Sequence, residues 1–221
     1  MATKLGVIFD VDGVLVDSYQ AHFQSWRRLG REIGVQMSEQ QFVATFGRTS
    51  REVIRESWPQ LATSDARVAQ IDDRKEELFR EIIAADFPAM EGAVELIDAL
   101  AAVDFALAVG SSGPPENVGL VLDKLGRRDK FQAVVTGRDV TRGKPDPQVF
   151  LLASERLGLP PGRCVVVEDA PAGVAAAKSA GAKCLGLASA GRDSALLAAA
   201  DRVVSSLRGV GPDDIHRLLR Q

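Results

Sequence analysis

The sequence is poor in the features that would mark a special environment. It has only two cysteines, Cys164 and Cys184, each in or beside an apolar run; this excludes a disulfide scaffold and fits buried reduced thiols better than a metal pair. It has no basic block: 27 Lys and Arg against 30 Asp and Glu give a net charge of -3, and the arginines are scattered, so nucleic acid is not an expected partner. No apolar run approaches the ~18 residues of a membrane helix. Met1 to Lys4 is too short for the basic segment of a signal peptide, and the apolar stretch behind it soon meets Asp10, so a cytoplasmic location with no membrane partner is expected. No repeat of about 20–50 residues occurs, no low-complexity tract beyond the alanine-rich stretch at 195–200, and no GxxxxGK[ST] phosphate loop.

What remains is 46% hydrophobic and 26% charged, a globular composition sufficient for one sizeable core or a core plus a small second module. Leu5 to Phe9 reads as a strand buried on both faces. From Tyr19 to about Asp86 the pattern is helical instead. Phe23, Trp26, Leu29 and Ile33 recur at three- and four-residue intervals, as do Val68, Ile71, Leu78 and Ile82, with Trp58-Pro59 breaking the pattern between them. From Gly92 onward helices and short apolar strands alternate. The expected strands are Phe105 to Val109, Ala133 to Thr136, Cys164 to Val167 and Lys183 to Leu187, with Arg202 to Val204 as an edge; a helix begins at Asp146-Pro147.

Such alternation implies a doubly wound parallel sheet, an α/β Rossmann-like core, interrupted by an inserted helical bundle. The expected boundaries are residues 1–16 with 89–221 for the core and 17–88 for the bundle, with hinges near Val16 to Tyr19 and Phe87 to Gly92.

The polar residues fall at the carboxyl ends of these strands, where open parallel sheets bind ligands. Asp10 and Asp12 follow the first strand, Ser111 and Ser112 the second, Lys144 lies in the loop after the third, and Glu168 and Asp169 follow the fourth. Four acids, two hydroxyls and one ammonium suit a divalent cation plus a phosphate. Each group alone has a plain reading: an acidic turn, a serine loop, a surface lysine, or acids opening a helix.

The segments FDVDGVLVDS, LAVGSSG, GKPDPQVF and VVVEDAPAGVAAAKSAG resemble, in order, the four motifs of the haloacid dehalogenase superfamily. The resemblance implies that Asp10 is a nucleophile forming an aspartyl-phosphate and Asp12 the acid and base. Ser111 would bind a phosphate oxygen, and Lys144 would neutralise charge on phosphate and Asp10 together. Mg2+ would be held by Asp10, the backbone carbonyl of Asp12, Asp169, and Glu168 directly or through water.

YQAHFQSW, GRTSREVI and DDRKEELF resemble cap segments of the subgroup that holds β-phosphoglucomutase and sugar-phosphate phosphatases. This makes the bundle a cap and places His22, Arg51 and Lys75, with Ser112, at the substrate; Arg48 and Thr49 would line the entrance. Trp26, Phe42 and Phe46 read as cap core, and His216 as chemically silent. Two departures from the subgroup, Gly113 in place of a polar residue and Glu76 in place of an amide, lean toward a phosphatase handling a monophosphate.

The expected protein is a Mg2+-dependent phosphatase acting on a small phosphorylated metabolite, sugar-like, and a monomer, since its cap must move. The alternative is a phosphohexose mutase. A metal-free dehalogenase is opposed by Asp12, and a non-catalytic module stays open because fold alone does not guarantee activity.

Overall fold

The computed structural model describes residues 4–45, 48–189 and 193–221. The chain divides into two compact units, Met1–Asp17 with Pro88–Gln221, and Ser18–Phe87.

The first unit is built on six parallel strands: β1 (Gly6–Phe9), β2 (Ala106–Gly110), β3 (Ala133–Val135), β4 (Cys164–Glu168), β5 (Lys183–Leu187) and β6 (Arg202–Val204). Their order is β3-β2-β1-β4-β5-β6, so the first strand in sequence lies in the middle and the order reverses beside it. That reversal is the switch point where such sheets bind ligands. β1, β2 and β4 are buried throughout because both faces are covered, which is why their sequences are continuous apolar runs.

The unit's helices are α5 (Ala93–Ala102), α6 (Pro115–Leu125), α7 (Gln148–Arg156), α8 (Pro171–Ser179) and α9 (Pro212–Leu219), numbered after four helices of the second unit. A buried cluster that includes Ile8, Phe150, Val166, Val174 and Ala177 packs α7 and α8 onto the sheet. α6 closes on Gly126 at φ 64°, the left-handed conformation that glycine adopts at helix ends. α7 starts one residue later than expected: Pro147 takes the cap position, while Asp146 Oδ1 accepts from the Gln148 N–H at 3.0 Å. The two linkers near Val16 and Pro88 run side by side, with the Asp17 N–H donating to the Pro88 carbonyl at 2.9 Å and Met90 N–H to Leu15 at 3.0 Å.

The second unit contains α1 (Tyr19–Ile33), α2 (Glu39–Ala44), α3 (Ser50–Ser57) and α4 (Asp65–Ala85). Its core holds Phe23, Trp26, Leu29, Phe42, Ile54, Trp58, Val68, Ile71 and Leu78. Trp26 meets Trp58 edge-on, ring centroids 5.4 Å apart. Phe46 lies outside the described residues. The stripe on α4 departs from expectation in two places: Ile83, not Ile82, is fully buried, and Lys75 is buried within the stripe. Thr49, expected at an entrance, caps α3: it accepts from the Glu52 N–H, and the Glu52 carboxylate accepts from Thr49 in return. His216 packs against Phe105 at 5.0 Å between centroids. Both cysteines are free and buried, and burial pushes the Cys164 thiol up to about 11, as expected of inert thiols. Among the described residues no helix is long and apolar enough to cross a membrane.

Both tryptophans lie in the helical unit, so intrinsic fluorescence reports its unfolding selectively. Ile54→Ala, at a fully buried position, will lower stability by about 2–5 kcal/mol in urea unfolding followed this way. Val43→Ala, at an exposed position, will change it by less than about 0.5 kcal/mol.

Candidate active site

Parallel register decides which side chains meet. Phe9 on β1 is level with Val109 on β2 and Val167 on β4, so the following residues, Asp10, Gly110 and Glu168, end the three central strands together. The ladders run one step further: Asp10 N–H donates to the Val167 carbonyl and Ser111 N–H to Val135, both at 3.0 Å. Glu168 is itself the last residue of β4, one step inside the loop position expected from sequence, and is more buried for it.

Two carboxylates thus share the middle of the sheet edge, and a lysine joins them. Lys144 Nζ donates to Asp10 Oδ1 at 2.7 Å and to Glu168 Oε1 at 2.6 Å, and lies 4.8 Å from the Phe150 ring centroid. Glu168 Oε2 accepts from the N–H groups of Asp169 and Ala170 at 2.9 and 3.0 Å, so both its oxygens are engaged. Burial pushes the Asp10 carboxyl from 3.8 up to about 7, with Glu168 and Asp12 adding to the rise and Lys144 opposing it. Burial alone would lower the Lys144 ammonium, but the charges of Asp10 and Glu168 outweigh that and hold it above its ordinary value.

Lys144 keeps its charge even when Asp10 takes up a proton, because Glu168 Oε1 still accepts from it.

The remaining loops converge on this triad. Gly13 follows Asp12 at φ 76°, and a Cβ there would fall 1.8 Å from Asp169 Oδ2, which puts the β1 loop against the β4 loop. A Cβ on Gly113 would stand 3.3 Å from Ser111 Oγ and 3.8 Å from Asp12 Oδ2, so Ser111 and Asp12 flank one spot. The Gly113 N–H donates to Ser111 Oγ at 3.0 Å. Ser112, the next residue, is exposed.

The haloacid dehalogenase-like hydrolase family model matches residues 5–181. The chain belongs to the haloacid dehalogenase-like hydrolases. Among its relatives, validoxylamine A 7'-phosphate phosphatase of Streptomyces hygroscopicus subsp. limoneus is 33% identical over 92% of this chain and 94% of that protein. β-Phosphoglucomutase of Bacillus subtilis is 30% identical over 82% of each. A mutant of CbbY from Rhodobacter sphaeroides, solved with xylulose-(1,5)bisphosphate, superposes with a TM-score of 0.85 at 25% identity, covering 96% of this chain and 99% of that one.

In this hydrolase the donor set fits a hard cation. Ligand oxygens of Asp10, Glu168 and Asp169 lie within 4.8 Å of one another, all three residues buried. Three carboxylates face one lysine in a poorly solvated site, so once ionised they outnumber it, and oxygen-only donors suit Mg2+ or Ca2+ over softer metals. The Asp12 carboxylate is not one of the three.

His22, Arg51 and Lys75 all belong to the helical unit. Lys75 is 2% exposed; its ammonium lies 2.8 Å from His22 Nδ1, 2.9 Å from Glu76 Oε1, and 5.4 Å from the Phe79 ring centroid, while His22 stacks on that ring at 4.1 Å. Ser50 Oγ donates to the same Glu76 oxygen at 2.9 Å. Arg51 Nε donates to Asp72 Oδ2 at 2.8 Å. Burial raises the Asp72 carboxyl although Arg51 opposes it, and Glu76, one turn further along α4, adds to the rise. Sequence reasoning named both cations but not Asp72, whose partner Arg51 lies on another helix, so spacing within α4 does not reveal the pair.

The raised Asp10 has a measurable consequence. Its proton affinity is higher folded than unfolded, so between 3.8 and about 7 rising pH removes stability at this residue, and above that window the cost is complete. In EDTA, Asp10→Asn will gain melting temperature relative to the parent from pH 4 to pH 8. A divalent cation, which favours the charged carboxylate, will stabilise the parent more at pH 8 than at pH 5 and will have little effect on the variant.

Proposed function

We propose that the chain is a Mg2+-dependent phosphatase that hydrolyses a small, sugar-like phosphorylated metabolite through an aspartyl-phosphate. The observation that carries this reading is the buried Asp10 carboxylate gripped by Lys144 beside Glu168 and Asp169 at the carboxyl ends of β1 and β4.

Asp10 attacks phosphorus, the bond to the leaving oxygen breaks, and Asp12 delivers a proton to that oxygen. Asp12 then takes a proton from water, which attacks the phosphoryl group and returns Asp10 as a carboxylate. Lys144 and Ser111 bind phosphoryl oxygens throughout, each contributing on the order of 3 kcal/mol to the transition state. Mg2+, which would be held by Asp10, the backbone carbonyl of Asp12, Asp169, and Glu168 directly or through water, would neutralise charge that otherwise keeps a phosphate dianion from a carboxylate nucleophile. Substrate choice is assigned to His22, Arg51, Lys75 and Ser112.

Hydrolysis is favoured over a mutase cycle by the charge balance of the helical unit. Lys75 is matched by Glu76 and Arg51 by Asp72, each at hydrogen-bond distance, so this group of four has no surplus positive charge for a second phosphate. The relatives include named representatives of both chemistries, a phosphatase and a phosphoglucomutase.

Phosphorus NMR with Mg2+, across hexose, pentose and three-carbon phosphates and including a β-hexose 1-phosphate primed with its 1,6-bisphosphate, separates the two. Inorganic phosphate will outrun any 6-phosphate signal; the reverse order would make the mutase the answer. Asp10→Asn will lower turnover by on the order of 10³-fold or more, and substantial phosphate release by that variant would remove the assigned nucleophile.

A further inference from the structure

Gly173 is the third residue of α8, in a stretch that uses alanine at positions 172, 175, 176 and 177. Alanine is the better helix former, so a glycine at 173 runs against local preference. Its backbone gives no reason for the choice, since its φ is not among the positive ones. Its surroundings do. A Cβ on residue 173 would fall 1.8 Å from Glu168 Oε1, 1.9 Å from Cδ and 2.3 Å from Oε2. The Glu168 carboxylate fills the space where a side chain would begin. It cannot swing aside cheaply, because it accepts from the N–H groups of Asp169 and Ala170 and from Lys144.

We propose that Gly173 is a positioning residue for the phosphoryl-transfer site: its missing side chain is the recess in which the Glu168 carboxylate is set, and through Lys144 that setting fixes the Asp10 carboxylate. The chain of contact is continuous. Backbone at 173 bounds Glu168, Glu168 Oε1 holds Lys144, and Lys144 holds Asp10. Gly13 bounds Asp169 in the same manner, but its positive φ gives it a second reason to be glycine, so Gly173 is the cleaner position to test.

The activity arm rests on the phosphatase reading; the binding arm does not. Gly173→Ala is compared with the parent for steady-state phosphate release and for the melting-temperature shift produced by titrated Mg2+. Displacement of a reacting group by about 1 Å costs roughly 10²-fold in turnover, and loss of a ligand's support weakens metal affinity by about 10–100-fold. Both losses are expected here.

Glu168→Asp, which withdraws the carboxylate by one methylene, separates steric positioning from a general effect on the helix. Alone it will damage the parent; combined with Gly173→Ala it will recover at least about tenfold of the lost Mg2+ affinity, the reduction expected when a ligand's support is restored.

The proposal is overturned if Gly173→Ala keeps both quantities within twofold of the parent, or if the double variant is worse than Gly173→Ala alone. Should Gly173→Ala fail to melt cooperatively, the double variant decides: cooperative melting supports the recess, and failure of both overturns it. A parent that responds to Mg2+ but releases no phosphate from any ester would sink the phosphatase reading and leave the Mg2+ arm to test Gly173.

Discussion

Lys144 makes the middle of the sheet edge tenable. Parallel register brings Asp10 and Glu168 to the ends of neighbouring strands, where both are shielded from water. Two such carboxylates repel each other, and an uncompensated buried charge costs several kcal/mol. The ammonium between them, at 2.7 and 2.6 Å, offsets part of this, and two backbone N–H groups at the start of the α8 segment satisfy the far oxygen of Glu168. The arrangement depends on three segments that are distant in sequence: the end of β1, the loop before α7, and the β4-to-α8 turn. β1 sits beside β4, and the loop before α7 leaves β3, one strand beyond β2, and brings Lys144 back to both.

Much of this was legible because the physics that builds a parallel sheet also writes its sequence. Strands covered on both faces must be apolar throughout, so each shows as a short continuous run, and a polar residue at its carboxyl end stands out. Asp10, Ser111, Lys144, Glu168 and Asp169 were found this way, and even the short edge strand at Arg202 to Val204 could be read. Side-chain partnership was less readable. Lys75 interrupts an apolar stripe on α4, and a lysine in such a stripe ordinarily reads as a solvated residue; its burial depends on His22 and Glu76 accepting it, which helical spacing alone does not reveal. Thr49 was more readable: Thr49 and Glu52 have the spacing of a capping box, and the structure forms it. Gly173 was visible only as an oddity, a glycine among alanines, because its cause lies in where the Glu168 carboxylate rests.

The two units balance charge differently, Arg51 being exposed and Lys75 buried, and the difference bears on what the molecule can hold. In the helical unit Arg51 and Lys75 are each matched by one carboxylate, Asp72 and Glu76, so this set is neutral as built. A neutral set of donors and acceptors suits hydroxyl groups, which both give and accept hydrogen bonds, and offers little to a dianion. At the sheet edge Asp10, Glu168 and Asp169 outnumber Lys144, so with the carboxylates ionised the surplus is negative. A phosphate dianion would be repelled by that surplus, and a divalent cation would cancel it. The same cation would also favour the charged form of Asp10, which burial alone pushes toward protonation. In the proposed mechanism a half-neutral Asp10 would be a poor nucleophile, and a cation that holds it charged would remove that handicap. On the proposed reading, substrate affinity and nucleophile ionisation would both depend on one event, the arrival of two positive charges.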